Sequence, residues 1–183
     1  MKFILLSITF FYFAIVAQAQ SDIRRFDFKN FTYNLSCGSA DKKSAVTVKD
    51  AEYYGIKDSL NGEVYLKITD VIFGDINGDQ KDEAVVLYSC GSGASYVYIW
   101  GLIFTMEKNK LILLTELEGG NKGDGGFHKV KISKSLLVVE RYQLPNAGSP
   151  CCPAFIETVK YKLKSTKLVQ IGKGNLRKLS QSN

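Results

Sequence analysis

Apolar and polar residues alternate along most of this chain, and the period is two. Val64, Leu66 and Ile68 alternate with Tyr65, Lys67 and Thr69, which predicts a strand with one buried and one wetter face. Phe26 and Phe28 alternate with charged residues, and Phe31, Tyr33 and Leu35 resume the alternation after a shift at Lys29-Asn30. That shift predicts a strand interrupted by a bulge. Val46 and Val48 mark a short strand, whereas residues 50–59 are less regular and admit a helical turn. Residues 84–87 and 96–104 are continuously apolar, as expected of strands covered on both sides. The polar quartet Glu107-Lys108-Asn109-Lys110 predicts a turn, with 111–117 as the returning strand. Residues 119–126 form a glycine-rich loop. Residues 130–132 and 136–139 pair across Ser133-Lys134-Ser135, and 155–163 with 168–171 across Ser165-Thr166. Residues 144–153, with three prolines and two adjacent cysteines, are expected to be a loop.

No segment sustains a helical period. Roughly nine or ten short strands at hairpin spacing place the chain in the all-β class, as an antiparallel β-sandwich or a barrel-like meander of short strands. The length of 183 residues, the absence of an internal repeat and the lack of a linker-like run indicate a single domain.

The first 19 residues do not belong to that pattern. Met1-Lys2 gives a short positive start, 3–16 is an apolar run, and Ala17-Gln18-Ala19 offers small residues where a signal peptidase reads. The run is shorter than the ~20 apolar residues a membrane span requires. We therefore expect a signal peptide at 1–19, a single β-rich domain at 20–171, and a polar, frayed C-terminal tail at 172–183. The expected location is secreted or periplasmic, with no transmembrane segment after signal cleavage. Removing 1–19 takes away one Lys and no acid, which leaves a charge of +5. So modest an excess favours solubility and argues against nucleic acid as the partner. The expected partner is a protein or glycan of unknown identity.

Export changes the meaning of the four cysteines, Cys37, Cys90, Cys151 and Cys152. An even count in an oxidising compartment predicts two disulfides, with three possible connectivities. Adjacent Cys151 and Cys152 most simply go to different partners, one to Cys37 and one to Cys90; a Cys151–Cys152 bond is the strained alternative.

The strongest chemical pattern is Gly74-Asp75-Ile76-Asn77-Gly78-Asp79-Gln80-Lys81-Asp82-Glu83. Oxygen-bearing side chains recur at Asp75, Asn77, Asp79 and Glu83, and the Lys81 carbonyl fills the gap. Ca2+ takes six to eight oxygens at about 2.3–2.6 Å, and a chain wraps it when alternate groups turn inward. An EF-hand requires a bidentate acid at the twelfth position, which here is Val86, within a strand. The competing reading is an Asp/Asn/Gly-rich turn that binds nothing.

Phe73-Gly74-Asp75-Ile76-Asn77-Gly78-Asp79, followed by Asp82-Glu83-Ala84-Val85-Val86, resembles the FG-GAP/VCBS type of calcium-binding loop. The resemblance implies Asp75, Asn77, Asp79 and Glu83 as side-chain ligands and Lys81 as a carbonyl ligand. The usual glycine after the third ligand is Gln80 here, and one copy excludes a propeller. More widely, the chain resembles small exported bacterial proteins of an uncharacterised family. That resemblance rests on Gly74-Asp75, Glu83-Ala84-Val85-Val86, Cys90, Glu118-Gly119-Gly120, Leu137-Val138-Val139-Glu140-Arg141 and Cys151-Cys152-Pro153, and it brings no mechanism.

Other candidates are weaker. His128 is the only histidine, and a hydrolytic triad would need it with Asp124 and Ser92. Glu140 and Glu157, with Asp124, are candidate paired carboxylates for glycoside hydrolysis. Lys160, Lys162 and Lys164 alternate with Tyr161 and Leu163. They fit a basic strand that meets an anion, or the solvated face of an outer strand protected from edge pairing. The expectation that emerges is an exported, disulfide-stabilised β domain with one structural calcium site, acting as a binding or envelope-associated protein. The alternative is a small secreted hydrolase of glycans or esters using acidic residues or His128.

Overall fold

The computed structural model describes residues 22–35, 43–58, 62–92, 97–121, 123, 125–143 and 153–179. The expected signal peptide, Cys37, Cys151, Cys152 and Asp124 lie outside them. The described chain is all-β: a single turn of 3-10 helix, Ile23–Arg25, precedes twelve strands. They are β1 (Thr32–Leu35), β2 (Ser44–Thr47), β3 (Glu52–Asp58), β4 (Gly62–Gly74), β5 (Glu83–Ser92) and β6 (Tyr98–Glu107). The rest are β7 (Lys110–Gly120), β8 (Phe127–Ser133), β9 (Leu136–Gln143), β10 (Phe155–Lys164), β11 (Lys167–Gln170) and β12 (Asn175–Lys178).

The strands form three antiparallel sheets, and none closes into a barrel. β3 to β7 make a five-stranded meander in chain order. β1 and β2 pair as a small sheet, and β8 to β11 pair in sequence while β12 lies beside the first half of β10. The meander is covered on both sides, which explains the unbroken apolar run in β5. Ala84, Val86, Tyr88 and Cys90 pack with Ile23, Phe28, Tyr33, Leu35, Val46 and Val48. Val85 and Leu87 point the other way and pack with Val130, Leu137, Val139 and Leu163 of the second large sheet. Sandwich packing is thus set by strict alternation along one strand.

Three local findings differ from the sequence expectation. Phe26 and Phe28 lie in the turn after the helical residues rather than in a strand. Their rings still join the core, in tilted or edge contact with Phe31, Phe73 and Phe104 at centroid distances of 5.0 to 6.1 Å. Residues 50–58 hold no helical turn. Asp50 and Ala51, both at positive φ, turn the chain between Lys49 and Glu52, and β3 follows. Asp tolerates that conformation, so a tight turn replaces the helix. The C-terminal segment is not wholly frayed, because Asn175–Lys178 pairs with 155–158 of β10.

β4 carries the device that positions the candidate site. A register shift between Ile68 and Asp70 inserts an extra residue. Before it, Leu66 and Ile68 face the N-terminal layer; after it, Val71 and Phe73 do. The re-phasing turns Gly74 toward the second sheet, where a Cβ would lie 2.9 Å from Ile132 Cγ2. Only glycine permits that approach without displacing Ile132.

Tyr33 fixes the N-terminal layer. Its ring is buried, its hydroxyl donates to the Phe28 carbonyl at 2.6 Å, and burial raises its pKa. Tyr33→Phe leaves that carbonyl without its donor and is expected to cost about 1–2 kcal/mol in a denaturant-unfolding measurement. No shift in the midpoint would show that the bond is dispensable.

Candidate functional site

Gly74 pairs with Glu83, so residues 75–82 form a loop closing the hairpin between two central strands. Four short side-chain bonds fold it. Asp75 accepts from the Gly78 amide at 2.5 Å and from the Gln80 amide at 3.1 Å. Asn77 Oδ1 accepts from the Asp79 amide at 2.8 Å, and Asp79 from the Lys81 amide at 2.8 Å. The bonds of Asn77 and Asp79 are Asx turns, which Asp and Asn favour because a short side chain reaches the backbone two residues on, while Asp75 reaches three and five residues on. Gly78 and Gln80 adopt positive φ, 88° and 69°. Gln80 therefore occupies a left-handed position that costs a residue with a Cβ roughly 1–2 kcal/mol.

The loop is anchored in three directions. Ile76 is fully buried in the core between the two large sheets. Asp82 accepts from Arg24 Nε at 2.5 Å, and the Arg24 guanidinium lies 5.5 Å from the Phe73 ring centre. Asp75 Oδ2 lies 3.5 Å from the Ser135 hydroxyl in the β8–β9 turn. One loop thus touches the N-terminal segment, the meander and the second sheet.

Glu83 is the centre of this arrangement. It is 0 % exposed and lies on the same side of β5 as Val85 and Leu87. Its carboxylate accepts from the Ile76 amide at 2.8 Å and from Asn77 Nδ2 at 3.0 Å. Loss of water raises its pKa to about 7, and the charges of Asp79 and Asp75 add to that rise; the hydrogen bonds oppose it. No described cation pairs with it.

The structure brings the five sequence-predicted oxygens, from Asp75, Asn77, Asp79, Lys81 and Glu83, into one folded loop. It does not draw the acids into a cluster: among the described residues no three His, Cys, Asp or Glu side chains stand close enough to hold a metal ion. Cys90, the one cysteine among the described residues, is buried and is not a free thiol.

The hydrolytic candidates are placed differently. His128 Nδ1 is 3.1 Å from the Tyr142 hydroxyl, and its Nε2 is 3.7 Å from Glu140. Glu140 also accepts from Arg177 at 3.0 Å. These groups lie on the solvent side of the second large sheet. Glu140 pairs opposite Thr158, and Glu157 opposite Arg141, so the two glutamates project from opposite faces of that sheet. They cannot flank one glycosidic bond. Glu157 instead accepts from Gln143 at 2.8 Å. Asp124 and the Ser92 side chain lie outside the described residues. The His128–Tyr142–Glu140–Arg177 network was missed in the sequence, because bulging at Phe127–Lys129 and the pairing of β12 create it.

No family model, curated protein or solved structure matches this chain.

Two outcomes follow for the loop. Glu83 has a folded pKa of about 7 against an ordinary 4.5, so its contribution is fully present below the ordinary value and is lost as pH rises through about 7. In chelator, the melting temperature is expected to fall between pH 5 and pH 8 by the equivalent of about 3 kcal/mol or less. Glu83→Gln is expected to flatten that slope, whatever its effect on the absolute melt; an unchanged slope would assign the titration elsewhere. Gln80→Gly relieves the left-handed strain but frees the unfolded chain, for a net gain of about 0.5–1 kcal/mol. A loss of stability would mean that the Gln80 side chain holds the loop.

Proposed function

We propose that this protein is an exported, disulfide-stabilised β domain whose 75–83 loop holds one structural calcium ion. It acts as a binding or envelope-associated protein for a protein or glycan. The observation that carries this reading is the buried Glu83 carboxylate, which takes hydrogen bonds only from neutral donors while Asp75 and Asp79 oppose its charge. A loop with three acids among its predicted ligands, and no described cation paired to Glu83, suits a divalent ion on which its side chains would close, and the donors are of the hard oxygen type calcium prefers. The loop's hydrogen bonds leave further lone pairs on Asp75, Asp79 and the Lys81 carbonyl. Calcium at this site would draw the Glu83 carboxylate toward those oxygens and tie β4 to β5. The second support is Cys90, buried in the central sheet and not a free thiol, as a disulfide in an oxidising compartment requires.

With a dissociation constant on the order of 10⁻⁴ to 10⁻³ M, typical of extracellular sites, about 10 mM calcium stabilises the fold by roughly 1.4–2.7 kcal/mol. The melting temperature should rise by about 3–10 °C over chelated protein. Asp75→Ala with Asp79→Ala is expected to abolish that difference. An unchanged melt on chelation, with bound calcium excluded by elemental analysis, would sink the calcium assignment and leave the loop as a hydrogen-bonded clasp.

A further inference from the structure

The second large sheet packs one face on the meander; on its other face Val138 and Ile156 are buried, and the lysines around them are exposed. Cross-strand pairing determines which residues share that outer face. Lys129 pairs with Glu140, Lys131 with Val138, and Val138 with Lys160 across the other side. Lys162 pairs with Val169, and Lys164 with Lys167. Six lysines from β8, β10 and β11 therefore stand on one face, and all six are exposed. None forms an ion pair with a described residue. Glu140 is the one acid among the described strand residues on this face, and Arg177 already pairs with it. The excess left is as large as the formal charge of the whole chain, +6.

Protection of a sheet edge accounts for only part of this set: Lys129, Lys131 and Lys167 lie on the end strands β8 and β11. β10 carries the other three; it pairs with β9 through Tyr161 and with β12 and β11 on its other side, so Lys160, at the centre of the face, guards no open edge.

We propose that this face docks on an anionic phospholipid surface. The claim names the partner class within the envelope-associated role proposed above and rests on that reading, but not on the calcium loop. Three features favour a membrane over a linear polyanion. The charges spread in two dimensions across strands spaced about 4.8 Å apart, rather than following a single track. Lysines are point charges suited to headgroup phosphates, and among the described residues the basic end has no exposed aromatic platform on which nucleic-acid bases stack. Val169 and Ile171, 38 % and 43 % exposed, stand beside the lysines on the edge strand β11 and just past its end. Exposed aliphatic side chains next to lysines suit the headgroup–acyl boundary.

The experiment is co-sedimentation of the whole protein with vesicles of phosphatidylglycerol and phosphatidylcholine, against phosphatidylcholine alone. It is run at low salt in chelator, so that failure of the calcium assignment leaves the result unaffected. Binding is expected only to the anionic vesicles, falling steeply with salt. Lys160→Glu/Lys162→Glu/Lys164→Glu should weaken it at least about 30-fold, since each lysine near such a surface is worth about fivefold. Lys49→Glu/Lys108→Glu/Lys110→Glu, with the same net charge, should change it less than about 3-fold. Lys→Gln at the same three face positions provides a milder variant if the reversal does not fold, and is expected to weaken binding as well. The proposal is overturned by absent binding to anionic vesicles, by equal losses in the face and control variants, or by duplex DNA or dextran sulfate binding as tightly as the vesicles. A melt insensitive to calcium alongside intact vesicle binding would remove the loop assignment and keep this one.

Discussion

The fold depends on a carboxylate in a place where carboxylates are costly. Glu83 begins the central strand β5 with its side chain turned into the seam between two sheets, fully out of water. Its two bonds, to the Ile76 amide and the Asn77 side chain, hold the first half of the loop against the strand that follows. Ile76 is thereby fixed as the apolar plug at the end of the second core. An apolar residue at 83 could fill the seam, but it would leave the Ile76 amide without its acceptor. Burial of the acid and order in the loop are one constraint.

That constraint explains why the strands on either side are shaped as they are. The extra residue in β4 re-phases the strand so that Gly74, not a side chain, meets Ile132. The two sheets can then close around the loop, and Asp75 reaches Ser135 in the β8–β9 turn. On the other flank Arg24 joins Asp82 and overlies Phe73, so the N-terminal helical turn is set by the same loop. The loop thereby connects three layers.

Much of this was legible from local pattern. Period two gave the class, the continuous run at 84–87 gave a strand covered on both faces, and the alternation of Asp75, Asn77 and Asp79 gave the folded loop. What escaped depends on partners distant in sequence. Phe26 and Phe28 alternate like a strand, yet a turn presents the same two rings to the core, so period alone could not separate the alternatives. Asp50-Ala51 is a tight turn whose second residue lacks the usual glycine, and its signal was correspondingly weak. Gln80 was identifiable as an unfavourable substitute for glycine because its positive φ follows from the loop itself.

The lysines show the same limit from the other side. In sequence, Lys160, Lys162 and Lys164 form a one-dimensional alternation, and edge protection explains it as well as binding does. Pairing removes the first explanation for Lys160, which has a strand on either side, and it adds Lys129, Lys131 and Lys167 from the two end strands to the same plane. Stability gives no reason to gather like charges on one face, where mutual repulsion disfavours the compact state. Burial cannot be the reason either, because all six side chains are exposed. A cost carried on one face, with its charges unpaired among the described residues, is most simply explained by an opposite charge outside the molecule.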